Sequence, residues 1–408
     1  MTKTKIDLQM PFKYFLIGIT LLFITVAHSQ DITPKFGEGM LRLVSKDSSW
    51  SVRFAPRIQF RALSNWDYEN DKFGKPEHSF LIRRARLKFD GFAYSPKLRY
   101  KIELGLSNQD ISRASDFTGN APNIIFDAVI MWNFYENFEL WAGQAKLPGN
   151  RERVISSANL QLIDRSILNS TFNIDRDLGI QLRHHFNISE KIIIREMLAF
   201  SQGEGRNIIT GNLGGNQYTS RVEILPLGEF TKKGDYIGGD IYREKSPKLA
   251  IGATFDLNQD AVKTRSNMGN YMENDIGFHE TTISTVFVDA MFKYNGFSFM
   301  GEYSYRDATD PIAKNSDGST TGEEVYTGQG FNFQGGYMFK TNWEIAARFS
   351  SILPETRFLA NDTRTQYTLG GSKYIVGHKL KVQSDLSYAT NGGESDSIEF
   401  RIGFDLHF

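Results

Sequence analysis

From residue 52 to its last residue the chain repeats one pattern. Apolar and polar side chains alternate through segments of roughly 10 residues, and the connections between segments are by turns very short and long. In SVRFAPRIQFRA, Val52, Phe54, Ile58 and Phe60 alternate with Arg53, Arg57, Gln59 and Arg61. In LIRRARLKFDG, Leu81, Ala85, Leu87 and Phe89 oppose Arg84, Arg86, Lys88 and Asp90, and 98–107 repeats the layout. The closing FRIGFDLHF sets Phe400, Ile402, Phe404, Leu406 and Phe408 against Arg401, Gly403, Asp405 and His407. A period of two means strands with two unlike faces. Short connections at 94–97, 135–137, 295–296, 341–342 and 376–377 alternate with long polar ones at 63–79, 108–122, 148–177, 202–218, 259–283, 307–328 and 353–365.

About 16 strands follow, the weakest expected near 138–147, 190–201 and 366–376. Soluble sandwiches do not confine long loops to alternate connections. An even set of such strands instead describes a closed antiparallel transmembrane β-barrel of the bacterial outer membrane, because lipid leaves no unpaired backbone group a partner. The apolar faces then look at lipid, and aromatics near strand ends, among them Trp132, Tyr135, Tyr294, Phe297, Phe339 and Trp343, suit interfacial girdles. Phe408 is expected to anchor the last strand at the periplasmic interface. Two segments resist the pattern. Residues 228–246 make a long connection where a short one is due, and 36–46 read as a strand that would make the count odd.

The N-terminus gives the route. Lys3, Lys5 and Lys13 precede the fourteen-residue stretch Tyr14–Ala27, followed by small residues. This is too short to span a bilayer, which takes about 20 residues, and has the layout of a secretory signal. We therefore expect a signal peptide at 1–29, a periplasmic segment at 30–49 and the barrel at 50–408. Lys plus Arg and Asp plus Glu both number 47, which argues against a nucleic-acid partner. The absence of cysteine excludes disulfides and thiolate zinc sites.

The segments FLIRRARLKFDGFAYSPKLRYKIEL (80–104), LWAGQAKLPGNRE (140–152), FNIDRDLGIQL (172–182), TSRVEILPLGEF (219–230) and SPKLAIGATFDLNQDA (246–261) resemble the phosphate-selective porin O and P family, over about 36–408. The resemblance implies a 16-stranded homotrimeric porin with an inward-folded third loop and basic residues that attract anions. Phe408 would likewise present the C-terminal signal read by the barrel assembly machinery.

The water-facing set of the first strands is Arg53, Arg57, Arg61, Arg84, Arg86, Lys88, Arg99 and Lys101 against Asp90 and Glu103; Arg401 extends it across the barrel closure. A basic stripe in a narrow lumen concentrates anions. In the third loop, Ile155, Ala158, Leu162 and Ser166/Ile167 recur at helical spacing, which calls for a surface to pack on. Arg151, Arg153, Arg165 and Arg176 become the candidate constriction residues, offset by Glu152, Asp164, Asp175 and Asp177. The stretch 148–177 contains no lysine, whereas the resemblance implies a lysine cluster there, so a broad anion preference is expected rather than strict phosphate specificity. No catalytic motif, metal site or cofactor site is read. The alternative is an outer-membrane barrel with an enzymatic or surface-binding role and no open channel.

Overall fold

Each alternating segment pairs with its neighbours on both sides. The computed structural model describes residues 35–69, 72–111, 117, 123–209, 211–355, 363–391 and 396–408. The expected signal peptide and most of 108–122 lie outside the described residues, as do parts of 202–218 and 353–365. Strands β1 (Arg57–Glu69), β2 (Glu77–Ala93), β3 (Ser95–Gly105) and β4 (Ile125–Tyr135) open the sheet. They are followed by β5 (Phe138–Lys146), β6 (Arg176–Asn187), β7 (Ile193–Ser201) and β8 (Gln217–Leu225). The second half contains β9 (Lys248–Ala261), β10 (Thr281–Tyr294), β11 (Phe297–Ala308) and β12 (Gly328–Met338). It ends with β13 (Trp343–Pro354), β14 (Arg364–Val376), β15 (Leu380–Asn391) and β16 (Asp396–His407). β16 pairs antiparallel with β1 from Asp396↔Tyr68 to His407↔Arg57, which closes the 16-stranded barrel and leaves no open edge.

The short connections use residues that tolerate left-handed backbone. Asn295–Gly296 joins β10 to β11 with φ of 49° and 93°, the turn whose twist matches a hairpin. The apolar sets point outward and are exposed, as with Ile58, Ile130, Leu369 and Phe404. Trp132, Tyr135, Tyr294, Phe297, Phe339 and Trp343 are exposed beside the short turns, and Phe349–Tyr367 and Tyr303–Phe331 pair nearer the long loops. Two aromatic bands result, as an interfacial barrel requires.

Four details depart from the sequence reading. The expected long loop 63–79 is largely strand, since β1 runs to Glu69 and β2 starts at Glu77. Within 36–46 only Leu41–Val44 is a strand; it forms a hairpin with Ser51–Phe54, and the second strand takes over pairing on β2 at Phe54↔Phe89, so the barrel count stays even. Pro56, which has no N–H to give a ladder, lies where the hairpin ends and β1 begins. Third, β2 bulges at Arg83, so that Leu81 falls opposite inward-facing Arg61 rather than on the outward side with Ala85. Fourth, Phe408 does not face lipid alone. It packs edge-on against Phe36 at 5.8 Å, and its N–H reaches the Pro56 carbonyl at 3.1 Å.

The lumen is largely filled on one side. Residues 147–175 do not form one helix. Ser156 and Ser166 cap separate short turns, Ser157–Asn159 and Ile167–Phe172, each with its own packing surface. Ile155 and Leu160 bury against Met291 and Met300 of β10 and β11, Leu168 and Phe172 against Ile352 of β13. The Ile163 N–H reaches Asp385 on β15, and Arg57 on β1 holds the Ser157 hydroxyl at 2.7 Å. The anomalous connection 226–247 meets this loop from the short-turn side. Its Phe230 joins the Ile155–Leu160 cluster, and the Gly238 N–H donates to the Asn159 carbonyl at 2.6 Å. Buried Lys293 on β10 holds it through the carbonyls of Gly234 at 2.8 Å, Ile237 at 2.7 Å, and Gly239. Apolar inner-wall residues thus lie under loop rather than water.

Candidate functional site: the cationic cavity

With β9–β16 covered by these two connections, a cavity of about 1260 Å³ remains along β2–β8. It reaches from Lys263 and Tyr271 among the long loops to Asn137 and Lys233 beside the short turns. Fifteen Lys and Arg side chains line it against seven Asp and Glu, so an ion inside meets an excess of positive charge.

The structure sorts the expected basic residues by their partners. Arg53 sits in the hairpin before the barrel and grips Asp90 with two bonds at 2.8 and 2.6 Å, with Lys88 on the same carboxylate at 2.7 Å; neither cation lines the cavity. Arg57 is held by Asp405 at 2.8 and 2.5 Å, and Arg401 by Asp385 at 2.6 Å; both are buried away from the cavity. Arg84, Arg86, Arg99 and Lys101 do line it. Arg86 meets Asp110 and Glu103, Arg99 meets Glu139 at 2.6 Å, and Lys101 meets Asp127 at 2.5 Å. Around Asp164 three arginines share one carboxylate: Arg61 at 2.8 Å, Arg84 at 3.5 Å and Arg83 at 3.8 Å. The bulge that admits Arg83 is invisible to strict alternation.

The four arginines named around the third loop divide similarly. Arg151 lies fully buried, away from the cavity. It binds Asp289 at 2.7 Å, Glu223 at 3.1 Å and the Asp235 carbonyl at 3.2 Å. Arg221 and Arg195 complete this network, three arginines against Glu223, Asp235 and Asp289, which ties both lumen segments to β7, β8 and β10. Arg153 and Arg176 face the cavity but share Asp175, and Arg176 also takes Asp127 at 2.8 Å. Burial alone would raise the Asp175 carboxyl; these two guanidinium groups outweigh it and hold it well below its usual range. Arg165 differs. Among the described residues it donates only to the backbone carbonyls of Glu152 at 2.9 Å and Ile155 at 2.8 Å. Burial, with Arg153 nearby, pushes it down to about 9, still charged at neutral pH.

Beside Arg165 stands Lys146, two residues before the lysine-free stretch 148–177. Its ammonium donates to the carbonyls of Arg153 at 2.7 Å, Ile155 at 3.2 Å and Val154 at 3.4 Å. Both cations thus sit at the C-terminal end of the helical turn Arg151–Val154, held by carbonyl dipoles instead of carboxylates. Lys146, Arg165, Arg183, Arg206, Lys233 and Lys263 are the cavity-lining cations with no carboxylate at ion-pair distance among the described residues. Five of the six escaped the sequence reading. Arg183 was findable, since it continues the Gln181–Arg183–His185 face of β6. Among the described residues no group of three or more His, Asp and Glu is placed to hold a metal ion.

The buried network makes a stability prediction. Asp289→Ala leaves Arg151 and Arg221 without their shared carboxylate, a loss of about 3–5 kcal/mol for a broken buried pair. The temperature of the heat-modifiable gel shift should fall accordingly; an unchanged temperature would show that the network stiffens nothing.

A closed barrel with an apolar outer belt and a water-accessible, charged interior cavity defines the class of channel-forming outer-membrane proteins. The sequence profile of the phosphate-selective porin O and P family matches residues 58–395, and the chain belongs to that family. It is a porin of the bacterial outer membrane. An uncharacterized protein of Aquifex aeolicus is 25% identical over 388 residues, spanning 88% of this chain and 86% of its own length. Among solved structures, Salmonella typhi OmpF in complex with daunomycin aligns with a TM-score of 0.56 at 11% identity, covering 90% of this chain and all of that one. An anion-selective porin from Comamonas acidovorans aligns with a TM-score of 0.52 at 10% identity, covering 88% and 100%. At such identities these likenesses speak for the fold.

Proposed function

We propose that this porin passes small hydrophilic solutes by diffusion and prefers anions broadly, phosphate among them. The observation that carries this reading is the set of cavity cations without carboxylate partners, Lys146 and Arg165 foremost. A fixed positive field over a narrow water path raises anion concentration and repels cations. In this reading the third loop sets the constriction, with Arg153, Arg165 and Arg176 at its edge, while Arg151 acts as its anchor. Strict phosphate binding needs several donors converging on one anion. Here Arg165 and Lys146 spend donors on loop carbonyls, which favours attraction over capture.

The same reading takes residues 1–29 as the export signal and 30–49 as periplasmic, and takes the working form as a homotrimer, in keeping with a fold neighbour described as Vibrio cholerae OmpT in trimer form, which aligns with a TM-score of 0.50. It also takes the strand ending in Phe408 as the segment handed to the assembly machinery. The deciding experiment is the reversal potential of purified protein in a planar bilayer under a potassium chloride gradient. Anion-selective current is the expected result, with phosphate a weak blocker. Cation-selective current would overturn the reading, and no conductance would favour the closed alternative.

A further inference from the structure

The cavity wall is not uniformly polar. Successive inner-face positions of β3, β4, β5 and β6 fall in rows, because directly paired residues share a face. One row runs Arg99, Met131, Trp141 and Gln181, and Val129 stands one inward position up β4. Next to Trp141, one row toward the short turns, is Arg183. Arg99, Val129, Met131, Trp141 and Arg183 all line the cavity. The Arg183 guanidinium stacks 3.9 Å from the Trp141 ring centroid. Its hydrogen-bond acceptor is the Gln181 side-chain oxygen at 3.2 and 2.7 Å, with no other hydrogen-bond partner among the described residues. Glu139, paired with Arg183 in register, spends its carboxylate on Arg99 at 2.6 Å and on the Trp141 indole N–H at 3.0 Å. A thioether, an isopropyl group and an indole lie together beside a guanidinium that retains unused donors.

A hydrated inorganic ion gains nothing from that apolar strip, and a wall serving such ions alone would do as well with serine or threonine. We infer that Arg183, Trp141, Met131 and Val129 form a subsite for organic anions that join a carboxylate or phosphate to a flat apolar body. The anionic end meets the free donors of Arg183, and the body lies on the indole and thioether surface. This rests on the anion-conducting reading and specifies its solute class. Stacking against an aromatic side chain and removal of apolar area from water together make a discrimination of about tenfold over an anion lacking the body.

The test compares sodium benzoate with sodium acetate as blockers of potassium chloride current through the purified porin. Wild type should be half-blocked by benzoate at about one tenth of the acetate concentration. Trp141→Ala should bring the two within about twofold, Trp141→Phe should keep most of the difference, and Arg183→Gln should weaken both anions while preserving their ratio. Saturation-transfer NMR of the two anions with detergent-solubilised protein reads the same ratio without needing conduction, including for any variant that inserts poorly. Equal block and equal saturation in wild type overturn the subsite, as does a ratio that survives Trp141→Ala. The sign of the reversal potential tests the anion preference separately, so a cation-selective channel with an intact benzoate ratio would sink the parent reading alone.

Discussion

A Lys146→Gln, Arg165→Gln double variant is expected to lose about tenfold or more of its anion-over-cation permeability at 0.1 M salt. A unit charge about 5 Å from a permeating ion is worth about 1 kcal/mol in bulk-water dielectric and about 3 kcal/mol at an effective dielectric of 20. Each 1.4 kcal/mol or so is a factor of about ten. Neither cation has a carboxylate at ion-pair distance among the described residues, so removing the two deletes positive charge that no ion pair cancels. Glutamine keeps an amide donor for the loop carbonyls, which separates the charge effect from collapse of the turn. The shift should shrink at 1 M salt, where the screening length drops from about 10 Å to about 3 Å. A matched control removes a pair: Arg57→Gln with Asp405→Asn deletes one charge of each sign and should leave the reversal potential near wild type. If the first variant keeps the wild-type reversal potential, positive charge beside the third loop does not set selectivity.

That contrast between paired and unpaired cations marks where sequence reasoning succeeds and where it stops. Alternation places Arg57, Arg84, Arg86 and Lys101 on the inner face because a strand has only two faces and lipid claims one. Alternation says nothing of partners. Asp405, which neutralises Arg57, is 348 positions away and arrives through barrel closure. Arg151 and Arg165 read alike in a neutral stretch of loop. Asp289 and Glu223 on distant strands claim the first, while carbonyls of its own loop hold the second. Lys146 lies just outside the lysine-free stretch 148–177, at the end of the strand that carries it, and its contact with that loop is made in space and not by spacing along the chain. Arg83 and Phe126 reach the cavity through bulges, where two residues oppose one and the period breaks. The Phe126 ring then lies 4.2, 4.9 and 4.1 Å from the guanidinium groups of Arg86, Arg176 and Arg206, an arrangement no spacing rule contains.

The connection 226–247 leads to the second large effect. Replacing residues 231–243 by an Asn-Gly turn should raise single-channel conductance at least about twofold, because the width of the water path governs conduction and this segment forms one of its walls. Lys233 and Tyr236 line the cavity directly, and Gly238 supports the third loop through Asn159. None of the replaced residues takes part in a barrel ladder: β8 pairs with β9 from Gln217↔Asn258 to Ile224↔Ile251, and those pairs stay. The barrel should therefore close as before, which the heat-modifiable gel shift checks. What changes is the interior. Lys293 exchanges three carbonyls for water, Arg195 and Arg151 lose Asp235, and His378 loses the Gly238 carbonyl at 3.0 Å. With Phe230 kept but its tether gone, the loop cluster of Ile155 and Leu160 rests on a looser floor, and current noise should rise along with conductance. Lys293 becomes a solvated cation facing the widened path, so the anion preference should persist even as the pore opens. A variant with wild-type conductance would place the permeation path away from this segment, and one that conducts more but turns cation-selective would mean that the segment, rather than the wall and the third loop, supplies the field.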